Sequence, residues 1–346
     1  MTISPFVTIL MPIFNEVSYI QRSFFAILSQ DYPAIFKEVL VIDGLSTDGT
    51  REAVVHLAAK YPQISFRLLD NPTKIVPTAL NIGLSYAIGD VIIRVDGHTI
   101  IASDYVSKCV DILMKTSADN VGGRMNAVGE NGFGKVVALA TSSPFGVGGA
   151  RFHYSDAEEW VDTVYMGAWP RSVFEKIGLF DEELVRDQDD EFNYRLLENG
   201  GKILLCPKIK SSYMVRSSPL ALWRQYYQYG FWKVRVFQKH PRQMRQRQFV
   251  PPAFVFSLLT SLLLALFIPL GRWVFVLITG VYLLANLTAS GWEASRRGWR
   301  YLPVLPVVFS ILHLSYGLGF LVGLVRFAHR WGDKLGKTPS FSNDHV

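Results

Sequence analysis

Residues 253–270, 273–289 and 304–325 contain no Asp, Glu, Lys or Arg. Each stretch is about 17 to 22 residues long, close to the ~20 that an α-helix needs to cross the hydrocarbon core of a bilayer. One such stretch can be a buried helix of a soluble domain. Three in succession point to a membrane-embedded portion. They also account for the 49% hydrophobic content, because up to about Gln248 charged and apolar residues mix as in a globular domain. A chain of 346 residues has room for one large domain and this addition.

The bases cluster beside these stretches. Lys233, Arg235, Lys239, Arg242, Arg245 and Arg247 precede the first one with no intervening acid, which marks that side as cytoplasmic. Arg296, Arg297 and Arg300 then fall on the same side if two stretches cross. A third crossing would put Arg326, His329, Arg330, Lys334 and Lys337 outside, against the rule. Either the last stretch is re-entrant, with Pro303, Pro306, Gly317, Gly319 and Gly323 shaping its path, or the rule fails at the tail. The net charge of +6 is therefore read as attraction to anionic membrane lipids, not to nucleic acid. Residues 220–237, rich in Trp, Tyr and bases, suit either the membrane interface or packing beneath a folded domain. His313 suits a hydrogen bond to a neighbouring helix better than catalysis. The first residues lack a basic segment and a small-residue cleavage site, so export of the N-terminal domain is not expected. Cys109 and Cys206 lie in apolar surroundings without a CxxC pattern, and read as buried thiols.

The first hundred residues alternate between two periods. Apolar β-rich runs at residues 6–11, 38–42, 64–69 and 91–95 are separated by helical spacing from Val17 to Leu28, a helix capped by Thr47 or Asp48, and a helix over residues 78–87. Continuous apolar strands joined by helices form a mostly parallel sheet covered on both faces. In such sheets ligands lie beyond the carboxyl ends of the strands. Those ends are residues 12–16, 43–49 and 96–98. From Val121 to Ser217 the pattern is less regular, with glycines at 146, 148 and 149 that read first as turns.

Three acidic segments stand out. Asp43 closes a strand and can accept hydrogen bonds from a ribose or a base; an ordinary turn is the plainer account. Asp96-Gly97-His98 can offer an oxygen and a nitrogen to Mn²⁺, or the oxygen to Mg²⁺; a tight turn is again the plainer account. The run Asp187-Gln188-Asp189-Asp190-Glu191 favours a helix start through the helix dipole. Alternatively, one of its carboxylates takes a proton from an attacking hydroxyl.

Taken in order, residues 7–16, the Asp43 segment, Asn81-Ile82-Gly83, Asp96-Gly97-His98, and Asp189 ahead of Phe192 and Arg195 resemble the family 2 glycosyltransferases over about the first 240 residues. Lys74-Ile75-Val76-Pro77, Arg94-Val95-Asp96-Gly97-His98 and the segments 148–152 and 161–165 are similar to the ExoA-type enzymes of succinoglycan biosynthesis. The resemblance implies the GT-A fold, a nucleoside-diphosphate sugar donor, here a UDP-sugar, a divalent metal (Mn²⁺ or Mg²⁺) and inverting displacement. It places Pro12, Asn15, Glu16, Asp43, Lys74, Asn81 and Asp96 at the nucleotide-sugar, Asp96 and His98 at the metal, and Asp189 as general base. Two departures are His98 for the second acid of the metal motif and Gln188 for the Glu before the base. Gln228-Tyr229-Gly230-Phe231-Trp232 lacks the arginine of the processive synthases' Gln-x-x-Arg-Trp motif, which favours single additions over a processive polysaccharide synthase. A non-catalytic nucleotide-sugar-binding scaffold is the alternative from another class.

The expected organisation is a GT-A catalytic domain at 1–217, a basic-aromatic segment at 218–248, a membrane domain of two or three helices at 249–330 and a tail at 331–346. The expected setting is the bacterial inner membrane, with the catalytic domain cytoplasmic and a lipid-linked saccharide as acceptor in exopolysaccharide biosynthesis.

Overall fold

The computed structural model describes residues 4–334 and 336–341. In chain order the elements are β1 (Val7–Ile13), α1 (Val17–Leu28), β2 (Lys37–Asp43), α2 (Thr50–Ala58), β3 (Ser65–Asp70), α3 (Val76–Tyr86), β4 (Val91–Arg94), β5 (Thr99–Ile101), α4 (Tyr105–Lys115), β6 (Asn120–Val128), α5 (Gly132–Thr141) and α6 (Pro144–Val147). There follow β7 (Glu159–Val161), β8 (Ala168–Pro170), α7 (Arg171–Ile177), α8 (Gln188–Glu198), β9 (Ile203–Met214), α9 (Pro219–Lys239), α10 (Val250–Ala265), α11 (Pro269–Arg297) and α12 (Leu305–Arg326). Two compact units form. The first comprises residues 1–126, 154–213 and 335–346, the second 127–153 and 214–334. Residues 127–153 thus cluster with the C-terminal helices.

The first unit holds a mixed sheet in the order β3-β2-β1-β4-β8-β6-β9-β5, with β7 on β9. The four strands of the first hundred residues pair in parallel. The pairs β4–β8, β6–β8, β5–β9 and β7–β9 are antiparallel. Every residue of β1 and β2 is buried, as covering a sheet on both faces requires. Val7, Ile9 and Met11 of β1 meet Val39 and Val41 of β2 and Ile20 and Phe24 of α1 in one core.

Strand and helix starts and ends fall within one or two residues of the sequence expectation, except at α2. That helix begins at Thr50 behind Gly49 (φ 95°). Asp48 accepts from Thr50 N (3.1 Å) and Thr50 Oγ1 (2.5 Å), so it closes the preceding turn instead of capping. The stretch read as irregular contains β6 and the 12-residue β9. Its strand pattern is diluted by glycines needed for close approach: a Cβ on Gly123 would lie 1.8 Å from the Ile209 carbonyl oxygen.

In the second unit, the helical stretch Gln246–Ala265, which contains α10, and helices α11 and α12 are each long and apolar enough to cross a membrane. Many large apolar side chains on α10 and α11 are exposed, among them Phe256, Leu263, Trp273 and Leu284. Helix α12 is unbroken through its glycines, which rules against their shaping a re-entrant turn. They receive neighbouring backbone instead: Cβ atoms on Gly319 and Gly323 would meet Tyr227 O at 2.1 Å and Phe231 O at 2.6 Å on α9, and one on Gly317 would meet Pro251 O at 2.6 Å on α10. Helix α9 is therefore a packed helix. Lys233, Arg235 and Lys239 are buried, and Arg235 donates to Gln238 Oε1 (2.5 Å) and the Asp333 carbonyl (3.2 Å). His313 joins helices as expected, with Nδ1 3.1 Å from the Tyr282 hydroxyl and Nε2 2.8 Å from the Phe145 carbonyl. Both cysteines are buried.

Candidate active site

The parallel register sets Ile13, Asp43 and Asp70 in one row at the carboxyl end of the sheet. The loops after β1 and β2 are laced together there. Pro12 lies within β1. Asn15 takes a positive φ of 53°, donates its N–H to Ser46 Oγ (2.9 Å) and accepts from Thr47 N at Oδ1 (2.9 Å). Glu16 N donates to Thr50 Oγ1 (2.8 Å). Asp43, fully buried, accepts from Ser46 N (3.1 Å), Ser46 Oγ (2.6 Å) and Arg51 Nη1 (3.1 Å). Arg51 also reaches Asp70 at 2.6 Å. Asp43 thus orders the loop whose other polar groups face outward.

Among the described residues, five other than glycine have positive φ: Asn15, Leu45, Lys74, Met166 and Asp187. The first three sit on the loops after β1, β2 and β3, and Asp187 precedes α8. Non-glycine residues adopt this conformation at a cost, and such strain collects at functional sites. Lys74 places its ammonium 5.4 Å from the centre of the Phe14 ring. Asn81 is buried and committed to the chain: it donates to the Phe180 carbonyl and Glu182 Oε1, and accepts from Phe180 N, each at 2.9 Å.

The second half of the site gathers at the end of β4. Arg94 and Asp96 are two residues apart and so share a face of the chain. Arg94 Nε donates to Asp96 Oδ1 at 2.7 Å and Nη2 to Oδ2 at 3.2 Å. Its Nη1 is buried and finds no partner among the described residues. Burial works against the charged guanidinium, yet the charges of Asp96 and then Asp189 outweigh it and raise the Arg94 pKa above its usual value. His98 Nδ1 lies 2.9 Å from Glu16 Oε1, and its ring meets Tyr213 edge-on at 5.2 Å.

Asp189 lies in the first turn of α8. That helix is held firmly. Arg195 forks onto Glu191 (2.9 Å twice) and donates to the Leu179 carbonyl (2.7 Å). Asn193 accepts from Asn120 (2.9 Å) and donates to Thr163 (3.0 Å). Phe192 stacks on Phe180 at 4.5 Å and meets Trp169 of β8 at 5.8 Å. Since β8 pairs with β4, and Arg94 N donates to the Gly167 carbonyl (3.1 Å), the helix bearing Asp189 is tied to the strand bearing Arg94.

The family model described as "Glycosyl transferase family 2" matches residues 8–178. The succinoglycan biosynthesis protein ExoA of Rhizobium meliloti is 31% identical over 327 residues, covering 93% of this chain and 96% of that protein. The chain belongs to glycosyltransferase family 2. A dolichyl N-acetyl-alpha-D-glucosaminyl phosphate 3-beta-D-2,3-diacetamido-2,3-dideoxy-beta-D-glucuronosyltransferase of Methanococcus voltae is 28% identical over 93% of this chain and 98% of its own. Among solved structures, the mannosyltransferase PcManGT of Pyrobaculum calidifontis, in complex with GDP-Man and Mn²⁺, aligns with a TM-score of 0.59 and 20% identity over 93% of this chain and 88% of that one. This likeness shows the fold, GT-A. The protein is therefore a glycosyltransferase with three candidate membrane helices.

The sequence reading named Asp96, His98 and Asp189, and the fold brings Asp96 and Asp189 to one buried cation. It missed Arg94, although Arg94 stands in a quoted motif. The signal was present: a charged residue inside an apolar strand, two positions before the metal-motif acid, on the same face. The reading also did not pair Glu16 with His98, since the two are 82 residues apart.

Proposed function

We propose that this glycosyltransferase transfers one sugar from a UDP-sugar to a lipid-linked saccharide in bacterial exopolysaccharide assembly, with inversion at the anomeric carbon. The observation that carries the reading is the buried fork of Arg94 onto Asp96 at the carboxyl end of the sheet, with the helix that bears Asp189 packed against the neighbouring strand β8. The donor's diphosphate belongs on the Asp96 side. Asp189 accepts the proton of the acceptor hydroxyl as its oxygen attacks the anomeric carbon. The bond from that carbon to the diphosphate breaks, and UDP leaves with the electron pair. Pro12, Asn15, Glu16, Asp43 and Lys74 form the nucleotide side, with Asp43 acting through Ser46 and Arg51; Asn81 supports it by holding the 180–182 loop. The full-length relatives support the acceptor class: one is a succinoglycan biosynthesis protein, and the other is named for a dolichyl-linked sugar phosphate.

The family resemblance implies a divalent ion. Among the described residues no group of three or more His, Cys, Asp or Glu side chains is placed to hold one. The donor set fits an ion that takes its remaining ligands from the diphosphate. A histidine whose Nδ1–H is held by a carboxylate, as Glu16 holds His98, presents Nε2 as a ligand nitrogen. Asp96 and His98 would hold Mn²⁺, or Asp96 would hold Mg²⁺, and the ion would offset charge on the departing diphosphate.

We further assign the catalytic unit to the cytoplasmic face of the inner membrane, with α10 and α11 as the two crossings and the tail on the catalytic side. Residues beyond α12 pair within the first unit: Leu179 N donates to the Pro339 carbonyl, Glu182 N to the Lys337 carbonyl (both 3.0 Å) and Lys337 N to Asp181 Oδ1 (2.8 Å). Such contacts support an even number of crossings. Nearly half of α12 is buried, against about a tenth of α11. Two crossings also keep Arg296, Arg297, Arg300 and the basic tail inside.

Two experiments test these readings. Radiolabelled UDP-sugars, with GDP-mannose alongside, are incubated with membranes and extracted lipid-linked acceptors. Asp189→Asn should lower transfer by about 10²–10⁴-fold; near-normal transfer sinks the base assignment. For topology, Lys337→Cys should react with an impermeant maleimide in inverted vesicles and not in intact spheroplasts. Labelling from outside would mean an odd number of crossings.

A further inference from the structure

We propose that Arg94, besides holding Asp96, donates from Nη1 to an oxygen of the sugar being transferred, and so helps to select the donor. This rests on the donor-site reading above. The guanidinium is a fixed planar fork of five N–H groups. With Nε and Nη2 both on Asp96, the two hydrogens of Nη1 point away from that carboxylate. The Arg94 side chain is only 8% exposed, so water does not readily serve these hydrogens. A buried donor left unmade costs more than an ordinary hydrogen bond returns. Native structures retain such a group where a ligand, ion or ordered water completes it.

The chemistry of the reaction says which ligand. The diphosphate lies towards Asp96 and the attacking hydroxyl towards Asp189. In an in-line displacement the sugar occupies the space between leaving group and nucleophile. Arg94 is bonded to Asp96 and feels the charge of Asp189. Its Nη1 is closed off from the surface; in the proposed contact, donor binding opens that nitrogen to the sugar. A sugar presents hydroxyl oxygens as acceptors, and a charge-assisted bond to one of them is stronger than a neutral one. The position is also rigid. Arg94 N is tied to the Gly167 carbonyl, and its carboxylate partner fixes the plane of the guanidinium. A site built to satisfy a substrate oxygen rejects an analogue that lacks it, because the buried donor is then stranded again.

The test measures binding, with full-length protein in nanodiscs and Mn²⁺ present. UDP is titrated first, then UDP-glucose, UDP-galactose and UDP-N-acetylglucosamine; the tightest of these is taken forward with its deoxy analogues. Arg94→Lys keeps a cation for Asp96 and loses the second arm of the fork. It should hold UDP within about threefold of wild type and lose about tenfold or more for the intact sugar nucleotide. In wild type one deoxy analogue should lose a similar factor, and that loss should vanish in Arg94→Lys. Equal losses for UDP and UDP-sugar mean that Arg94 acts only through Asp96, and overturn the proposal. So does unchanged sugar-nucleotide binding, which would leave water as the partner of Nη1. Should Arg94→Lys fail to fold, the deoxy series in wild type decides alone: no analogue losing affinity overturns the contact. Wild-type protein that binds none of these nucleotides would instead reject the donor-site reading itself.

Discussion

The two units solve close packing by different means. In the first unit, buried polar groups hold the chain: Asp43 orders its own loop through Ser46 and Arg51, while Asn81 reaches the 180–182 loop and Asn193 reaches Asn120 and Thr163, far away in sequence. In the second, α9 and α12 approach until backbone meets backbone, and glycine makes the room. A Cβ on Gly230 would lie 2.0 Å from the Tyr316 carbonyl oxygen, and one on Gly319 would lie 2.1 Å from that of Tyr227. At these positions of α9 and α12 there is no room for a side chain, so contact at short range sets the helix separation. A sheet with a polar site at its edge must satisfy every buried donor and acceptor, and the groups it leaves open are those a substrate can complete. The first unit should therefore be sensitive to single polar atoms, and the second to volume.

That contrast can be broken at its strongest point by Gly319→Leu. The substitution should cost ~3 kcal/mol through forced separation of α9 and α12, read as a lower unfolding midpoint in detergent. Gly319→Ala should show a smaller loss, and wild-type stability for both would end the argument from close approach. Asp43→Ala comes next. It strands Ser46 N and Oγ, leaves Arg51 to Asp70 alone, and should cost ~2 kcal/mol while weakening UDP binding through a disordered loop. Binding and midpoint both unchanged would mean that the loop does not depend on its carboxylate.

The smallest effect is one of pH, and it sharpens the comparison by finding a titrating group in the second unit. Burial first, and then the charge of Arg247, push the His153 imidazole down to about 3. The folded state therefore holds His153 neutral. Below the ordinary histidine pKa of ~6.5 the unfolded chain binds a proton that the folded chain refuses, so stability falls as pH drops from there towards 3. Thermal midpoints taken from pH 7.5 to 4.5 should fall more steeply for wild type than for His153→Gln. Parallel curves would assign the acid sensitivity elsewhere.

Much of the site was legible because the strands carry it at their ends. Asp43 follows an unbroken apolar run and Asp96 one interrupted only by Arg94, and a strand that stops at an acid announces the edge of a parallel sheet. Asp189 was legible as the start of a helix. Arg94 was legible only as a charge out of place in an apolar strand; that its guanidinium would be shared with Asp189, 95 residues on, was not. The antiparallel half of the sheet was hidden for a related reason. Strands β6 and β9 interrupt their apolar alternation with glycine, proline and lysine, and their pairing partners lie far away in the chain.

The glycines of the last apolar stretch show where the reading of sequence stops. Composition alone determined that the residues after 249 form helices apolar enough to cross a membrane, and that a sheet of α/β type precedes them, because both depend on hydrophobic length and period. Whether Gly317, Gly319 and Gly323 bend a helix or admit a neighbour depends on what packs beside them, and only the tertiary structure decided that. The same holds for the partners of Asp96 and His98. Their positions follow from the end of a strand, whereas Arg94 and Glu16 reach them through the register and the loop path that the folded sheet imposes.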